Sequence, residues 1–323
     1  MNRREAVLAL LSIGVAPLPA IAQTARPIRR IGYLALSSAQ SNVPWLGAFR
    51  EGMAELRWVA NRDYVIDARY ANGVAQDLKD LAAAAVSSQP DLLLTTGELV
   101  VNPLLLQTKT IPIVFAIAAD PVRFGIAASL QRPGGNATGL TTLSFDISAK
   151  WLQLLKEALP RVNHVAVLFE GSPLAQVKEI EEAASRLGMR ITPIALRQVA
   201  DIESAFKRGA ALGAQAYILF QSGIVNSQRQ TIANHTIRLK VPSIAANNEY
   251  VEAGGLMSYS NSSRDNFRRA AAYVDKILKG ADPGDLPIEQ PTRFELVVNM
   301  KTAKAIGITF PNPFLLRVDR VIQ

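Results

Sequence analysis

A chain of 323 residues that sets 35 Lys and Arg against 27 Asp and Glu carries a formal charge of +8, two histidines and no cysteine. The missing thiols exclude disulfides, thiolate metal sites, cysteine nucleophiles and the lipid-bearing cysteine of a bacterial lipoprotein, and His164 and His235 leave little for imidazole catalysis or metal binding, so no cofactor or metal is expected. The positive residues are scattered and rarely run beyond pairs such as Arg29-Arg30 and Arg268-Arg269, which leaves no nucleic-acid footprint.

Residues 1–22 read as a secretory signal peptide. Arg3 and Arg4 form a basic start, Ala6 to Val15 is an apolar run, and Ala20-Ile21-Ala22 is a small-residue cleavage site ahead of Gln23. The run is too short for a bilayer of about 30 Å, and no later segment supplies a span. A soluble protein secreted across the inner membrane into the periplasm is expected, with the twin-arginine and general export routes both open. The chain beyond this leader is long enough for two domains of about 150 residues each.

Arg30 to Leu36 is a buried-strand run, and Pro44 to Arg57 is a helix with Pro44 in its first turn and Phe49, Met53 and Leu56 at helical spacing. The alternation continues with a strand at Tyr64 to Tyr70, a helix at Gln76 to Ser88, a strand at Asp91 to Thr95, a short helix around Val101 to Thr108 and a strand at Ile111 to Ala116. A second series begins after Gly139. It comprises a helix at Ser148 to Leu159, a strand at His164 to Phe169, a helix from Ser172-Pro173 to Gly188, then Arg190 to Ala195, Asp201 to Leu212, Ala216 to Phe220, Asn226 to Leu239 and Pro242 to Ala246. Beyond Gly254-Gly255 come a helix at Ser263 to Lys279, a turn-rich stretch at 282–287, a strand at Phe294 to Val298 and a helical turn at Lys301 to Ala305. Short continuous apolar strands alternating with helices predict an α/β protein, two half-molecules in tandem with parallel sheets covered on both faces.

In such sheets the ligand crevice lies beyond the carboxyl ends of the strands. The residues there are Ser37, Ser38, Thr95, Thr96, Gly97 and Asp120 in the first half, and Ser172, Gln221, Ser222, Asn247 and Glu249 in the second. Hydroxyls and amides beside helix N-termini suit a carboxylate or other anion. Each has a plainer alternative: Ser37, Ser38 and Ser172 as helix caps, Asp120 before Pro121 as a turn organiser, Asn247 and Glu249 as exposed polar positions. Trp45, Phe115 and Phe124 are candidates either for stacking on an aromatic ligand or for the core. No Gly-x-Ser-x-Gly elbow, Walker loop or Gly-x-Gly-x-x-Gly follows the strands, so binding rather than turnover is expected.

At Thr110 to Phe115, Asp120-Pro121, Ser129 to Gly139, Gly254 to Tyr259, Asp275 to Gly280, Asp285 to Pro291 and Phe294 to Asn299, the chain resembles the ABC transporter substrate-binding protein family related to tryptophan and tyrosine binders. That resemblance implies a type I periplasmic binding protein: two Rossmann-like lobes joined by a hinge of three crossovers, closing on a small solute. It implies residues 28–140 plus 259–288 as lobe I and 141–258 plus 289–323 as lobe II, with crossovers at Thr138 to Thr142, Ser258 to Asn261 and Ile288 to Arg293. It also implies delivery to an inner-membrane ABC permease driven by a cytoplasmic ATPase, by a monomer. The ligand expected is a small carboxylated molecule such as an aromatic or branched amino acid. A sensory protein docking on a receptor and an exported α/β enzyme are the alternatives.

Overall fold

The computed structural model describes residues 27–142, 147–170 and 174–323, so the leader and Ser172 lie outside the described residues. The first sheet holds β1 (Arg29–Ala35), β2 (Tyr64–Tyr70), β3 (Leu92–Thr96), β4 (Ile113–Ala118) and β5 (Ala137–Thr141). Its order is β2-β1-β3-β4-β5 and every pair is parallel. The second holds β6 (His164–Glu170), β7 (Arg190–Leu196), β8 (Ala216–Leu219), β9 (Ser243–Ala245), β10 (Met257–Ser260), β11 (Glu295–Asn299) and β12 (Arg320–Ile322). Its order is β12-β11-β10-β9-β8-β6-β7, parallel except where β11 returns against β10.

The central strands are apolar along both faces because helices cover both. Leu92, Leu93 and Leu94 of β3 and Ile113 to Ala116 of β4 are all buried, and two separate apolar clusters flank each sheet. Over the first sheet lie α1 (Ala39–Glu55), α2 (Leu78–Ser87) and α3 (Glu98–Gln107). The second carries α4 (Ser148–Ala158), α5 (Leu174–Arg186), α6 (Asp201–Ala211), α7 (Gly223–Ser227), α8 (Arg229–Leu239) and α9 (Asn248–Glu252). The C-terminal part adds α10 (Ser263–Leu278), α11 (Met300–Ile306) and α12 (Asn312–Leu315).

Several elements differ from the sequence reading. Helix α1 starts five residues before Pro44, capped by Ser38, whose Oγ accepts from the Ser41 N–H at 3.4 Å. Pro44 therefore sits inside the helix, where it forgoes one backbone hydrogen bond. Helix α3 begins at Glu98, directly after Gly97, whose φ of 75° makes the turn out of β3. The stretch 226–239 divides into α7 and α8 at Gln228. Residues 138–142, read as a connector, are mostly strand β5.

Three connections join the sheets. The chain leaves β5 for α4, leaves β10 for α10, and returns to β11 after Glu289. Helix α10 belongs with the first sheet: it packs along α1, where a Cβ on Gly52 would collide with the Arg268 carbonyl oxygen. Glu289 lies beside β5, donating its N–H to Gly139 O and accepting from Thr141 N, both at 2.9 Å. Trp151 of α4 donates Nε1–H to Tyr259 O at 2.7 Å, which ties the first connection to the second.

Candidate ligand-binding site

A cavity of about 370 Å³ lies between the carboxyl ends of the two sheets, lined by residues from both. That is where open α/β sheets bind ligands, and a volume of this order suits a small organic molecule. Its apolar wall is aromatic on both sides: Trp45 and Phe124 from the first half, Phe169 and Phe220 from the second. Leu36, Leu99, Val100 and Ile117 extend it. Trp45 is only 2% exposed and stacks on Phe267 of α10, ring centroids 5.6 Å apart at 22°, so its orientation is fixed by the core beneath it.

The polar side of the cavity contains the loop after β3, residues 96–98, and the loop after β8, residues 221–223, with Ser37, Asn102, Thr142, Gln176 and Asn226. Among the described lining residues there is no Lys, Arg or His, while two carboxylates, Glu98 and Glu170, are present. Glu98 Oε1 accepts from the backbone N–H of Ala119 and from that of Asp120 at 3.1 Å. Glu170, the last residue of β6, accepts from Ile224 N at 3.1 Å through Oε2, and its Oε1 is buried without a hydrogen-bond partner. Burial pushes both carboxyls above their ordinary value, against the pull of the backbone N–H donors.

Of the residues expected at the crevice, Ser37, Thr96, Gly97, Gln221 and Ser222 line this cavity. Ser37 Oγ accepts from Asn42 Nδ2 at 2.7 Å, and Ser222 Oγ caps α7 by accepting from Val225 N at 3.1 Å. Ser38 lies outside it as the cap of α1. Thr95 is fully buried and donates its hydroxyl to Leu34 O at 2.9 Å, a bond across the sheet. Asp120 organises the turn, Oδ1 accepting from Arg123 N at 3.0 Å. Asn247 stands behind the wall: Oδ1 caps α9 through Tyr250 N, and Nδ2 donates to Oδ1 of the lining residue Asn226, both at 2.9 Å. Sequence reasoning missed Glu98, next to Gly97, and Glu170, two residues before Ser172; a carboxylate at a strand end or in a first helical turn was the available signal.

The two sheets are drawn together around the cavity. Trp45 Nε1 donates to Glu249 Oε1 at 2.9 Å, Arg123 Nη1 meets Glu179 Oε1 at 2.8 Å, and Gly223 packs on Leu36. On the far side of the Trp45 to Glu249 bond lies a larger polar groove of about 760 Å³ that includes Arg229, Arg264 and Arg320. Glu249 is half-buried and lines that groove; its Oε2 has no partner and burial raises its pKa. A carboxyl whose folded pKa exceeds its unfolded one binds more protons when folded, so its contribution to stability falls as pH rises from about 4.5 through the raised value. Glu249→Gln keeps an acceptor for Trp45. It is therefore expected to raise stability at pH 7 by about 1.4 kcal/mol for each unit of the displaced pKa, read as a higher thermal midpoint, and to leave the midpoint unchanged at pH 4. Parallel melts at the two pH values check this, and an equal shift at both would refute it.

Among the described residues no group of three acidic, histidine or cysteine side chains is placed to hold a metal ion, and no helix is long and apolar enough to cross a membrane. Comparison with known proteins agrees with this architecture. A solved conserved domain protein from Vibrio cholerae O1 biovar El Tor superposes with a TM-score of 0.84 at 25% identity, covering 91% of this chain and 99% of that one. An ABC domain from Streptococcus pneumonia, solved in complex with L-Trp, superposes with a TM-score of 0.82 at 24% identity, covering 91% of this chain and all of that one. A tyrosine-binding protein of Clostridioides difficile is 25% identical over 249 residues, 75% of this chain and 70% of its own length. The sequence pattern of one family matches residues 37–322, nearly the whole described chain, and with the two-lobed type I periplasmic-binding-protein fold it shows that this protein belongs to the ABC transporter substrate binding protein family.

Proposed function

We propose that this chain is the solute-capturing component of an ABC importer and that it holds a small aromatic amino acid, of the tyrosine and tryptophan class, between its two lobes. The carrying observation is the cavity itself: aromatic side chains from both sheets face a space of about 370 Å³, and a rim of hydroxyls and amides completes it. The relatives named for tyrosine and solved with L-Trp support the same ligand class. Division into 28–140 plus 259–288 and 141–258 plus 289–323, with the three connections as hinge, supports capture by closure. The basic start and apolar run of residues 1–22 support export to the periplasm, where an inner-membrane permease with a cytoplasmic ATPase receives the ligand unchanged.

Ligand that binds only the folded form raises stability by mass action, about 2.7 kcal/mol at a hundredfold excess over Kd. For a protein of this size that is a rise of about 5 °C or more in Tm. Tyrosine or tryptophan is expected to give that rise and to reduce the radius of gyration in small-angle scattering; leucine, simple organic acids and sugars are expected to do neither. A rise with sugars and none with aromatic ligands would reject the assignment.

A further inference from the structure

Resting on that reading, we infer that the hydrogen bond from Trp45 to Glu249 is the latch of the closed cleft, and that Glu249 is a positioning residue which sets how readily the lobes part. The two partners are 204 positions apart in the chain, Trp45 in α1 over the first sheet and Glu249 in α9 over the second. Each lobe fixes its own partner. The Trp45 indole stacks on Phe267 of α10, and Glu249 stands in the first turn of α9, whose N-terminus is capped by Asn247. The 2.9 Å bond is therefore made when the lobes meet and broken when they part. It also stands between two spaces: Trp45 is a wall of the ligand cavity, and Glu249 lines the polar groove beyond it. Holding the indole N–H thus holds one wall of the cavity in place.

A latch also has to open, and the second oxygen of Glu249 supplies the reason that this one does. In the closed form Oε2 is buried without a hydrogen-bond partner, and among the described residues no cation is paired with the carboxylate. The charged groups that share the groove are engaged elsewhere. Arg264 of α10 pairs with Glu51, Arg320 of β12 pairs with Glu252, Arg229 of α8 donates to Asn226 O at 2.7 Å, and Glu295 of β11 accepts from Asn248 Nδ2 at 3.2 Å. Helix α1 offers the groove only uncharged groups, Ser38, Gln40 and Ser41 among them. Arg229 and Glu252 act on the carboxyl through charge in opposite senses, so burial decides its state. The bond to Trp45 favours closure and the desolvated oxygen opposes it. Protonation removes the opposition, so closing the lobes takes up a proton and acid favours the closed form.

The test reads the lobes directly. The chain has no cysteine of its own, so Lys109→Cys in the first lobe and Ser185→Cys in the second, both at exposed positions, give two sites for a fluorophore pair. Single-molecule energy transfer then counts closed and open molecules of the protein without any ligand. At pH 7, Glu249→Ala is expected to lower the closed-to-open ratio about tenfold, the order for one lost hydrogen bond. Glu249→Gln keeps an acceptor and sheds the charge, and is expected to raise the ratio about threefold or more. A merely structural role would lower it in both. From pH 7 to pH 5 the ratio of the unsubstituted protein should rise, and that of E249Q should rise less. Trp45→Phe keeps a ring on Phe267 and removes the donor, so adding E249A to it should no longer lower the ratio. Stopped-flow release of tyrosine or tryptophan should be about tenfold faster in E249A and slower in E249Q. Equal ratios in the unsubstituted protein and E249A, a fall in E249Q, or an unaltered pH response in E249Q would overturn the inference and leave the aromatic amino-acid reading standing. Failure of both amino acids to bind would overturn that reading, and the ligand-free ratios would still decide the latch.

Discussion

Gly223→Val is expected to weaken ligand binding by about 100-fold while both lobes remain folded. Gly223 opens α7 on the second sheet's side of the cleft, and a Cβ there would stand 2.6 Å from both Cγ and Cδ2 of Leu36 and 2.9 Å from its Cβ. Leu36 is itself buried and follows β1 directly, so atoms so close to its backbone have little room to retreat. The obstruction exists only when the lobes are together. Within its own lobe the position is the first residue of a short helix already capped by Ser222, and Gly223 is not among the glycines with positive φ. The variant thus penalises the closed form selectively. If that form falls to about 1% of molecules, the apparent Kd rises about 100-fold, since affinity scales with the competent fraction. Titration calorimetry with tyrosine or tryptophan reads the affinity, and scattering reads the missing compaction. Adding Leu36→Ala to Gly223→Val removes the contacts at 2.6 Å but keeps that of the Leu36 Cβ at 2.9 Å, so it should return part of the loss. Unchanged affinity and compaction in the single variant would show that this contact does not govern closure.

Trp151→Ala should cost about 3–5 kcal/mol, the range for emptying a large aromatic site in a core that relaxes only in part. Trp151 is fully buried in α4, directly after the first connection, and its ring lies 5.7 Å from that of Phe220, a wall of the cavity. Truncation also strands Tyr259 O, the acceptor for its indole N–H, beside the second connection. A fall in Tm on the order of 10 °C is expected, together with weaker ligand binding as Phe220 loses its support. Trp151→Phe retains most of the ring volume and loses the hydrogen bond, so it should cost about 1–2 kcal/mol. Thermal and denaturant melts of the ligand-free proteins decide; a loss below about 1 kcal/mol for the alanine variant would mean that the site collapses freely around the gap.

The strands that were legible in the sequence are those whose apolar character is continuous and bounded by turns, such as Leu92–Thr96 and His164–Glu170. Strand β12 and helix α9 were not, because three to five residues cannot show a period. The start of α1 was misplaced because Pro44 is a good first-turn residue and Ser38 an equally good cap, and no local signal ranks one above the other. The same ambiguity ran through the site. Thr95 and Thr96 are neighbours of one chemistry, and only the pleat of β3 decides that Thr95 bonds to Leu34 O while Thr96 lines the cavity.

Composition, strand and helix periodicity and the motifs from Thr110 to Asn299 were sufficient for the α/β class, the tandem of two sheets and the family, because each is a property of residues close together in the chain. The chemistry of the cleft is of another kind. That Glu98 and Glu170 occupy the backbone donors, that Trp45 reaches Glu249 across 204 positions of sequence, and that Leu36 meets Gly223 depend on how two separately folded sheets face one another. Local pattern carries no record of distances between lobes, whereas burial and hydrogen-bond satisfaction depend on little else.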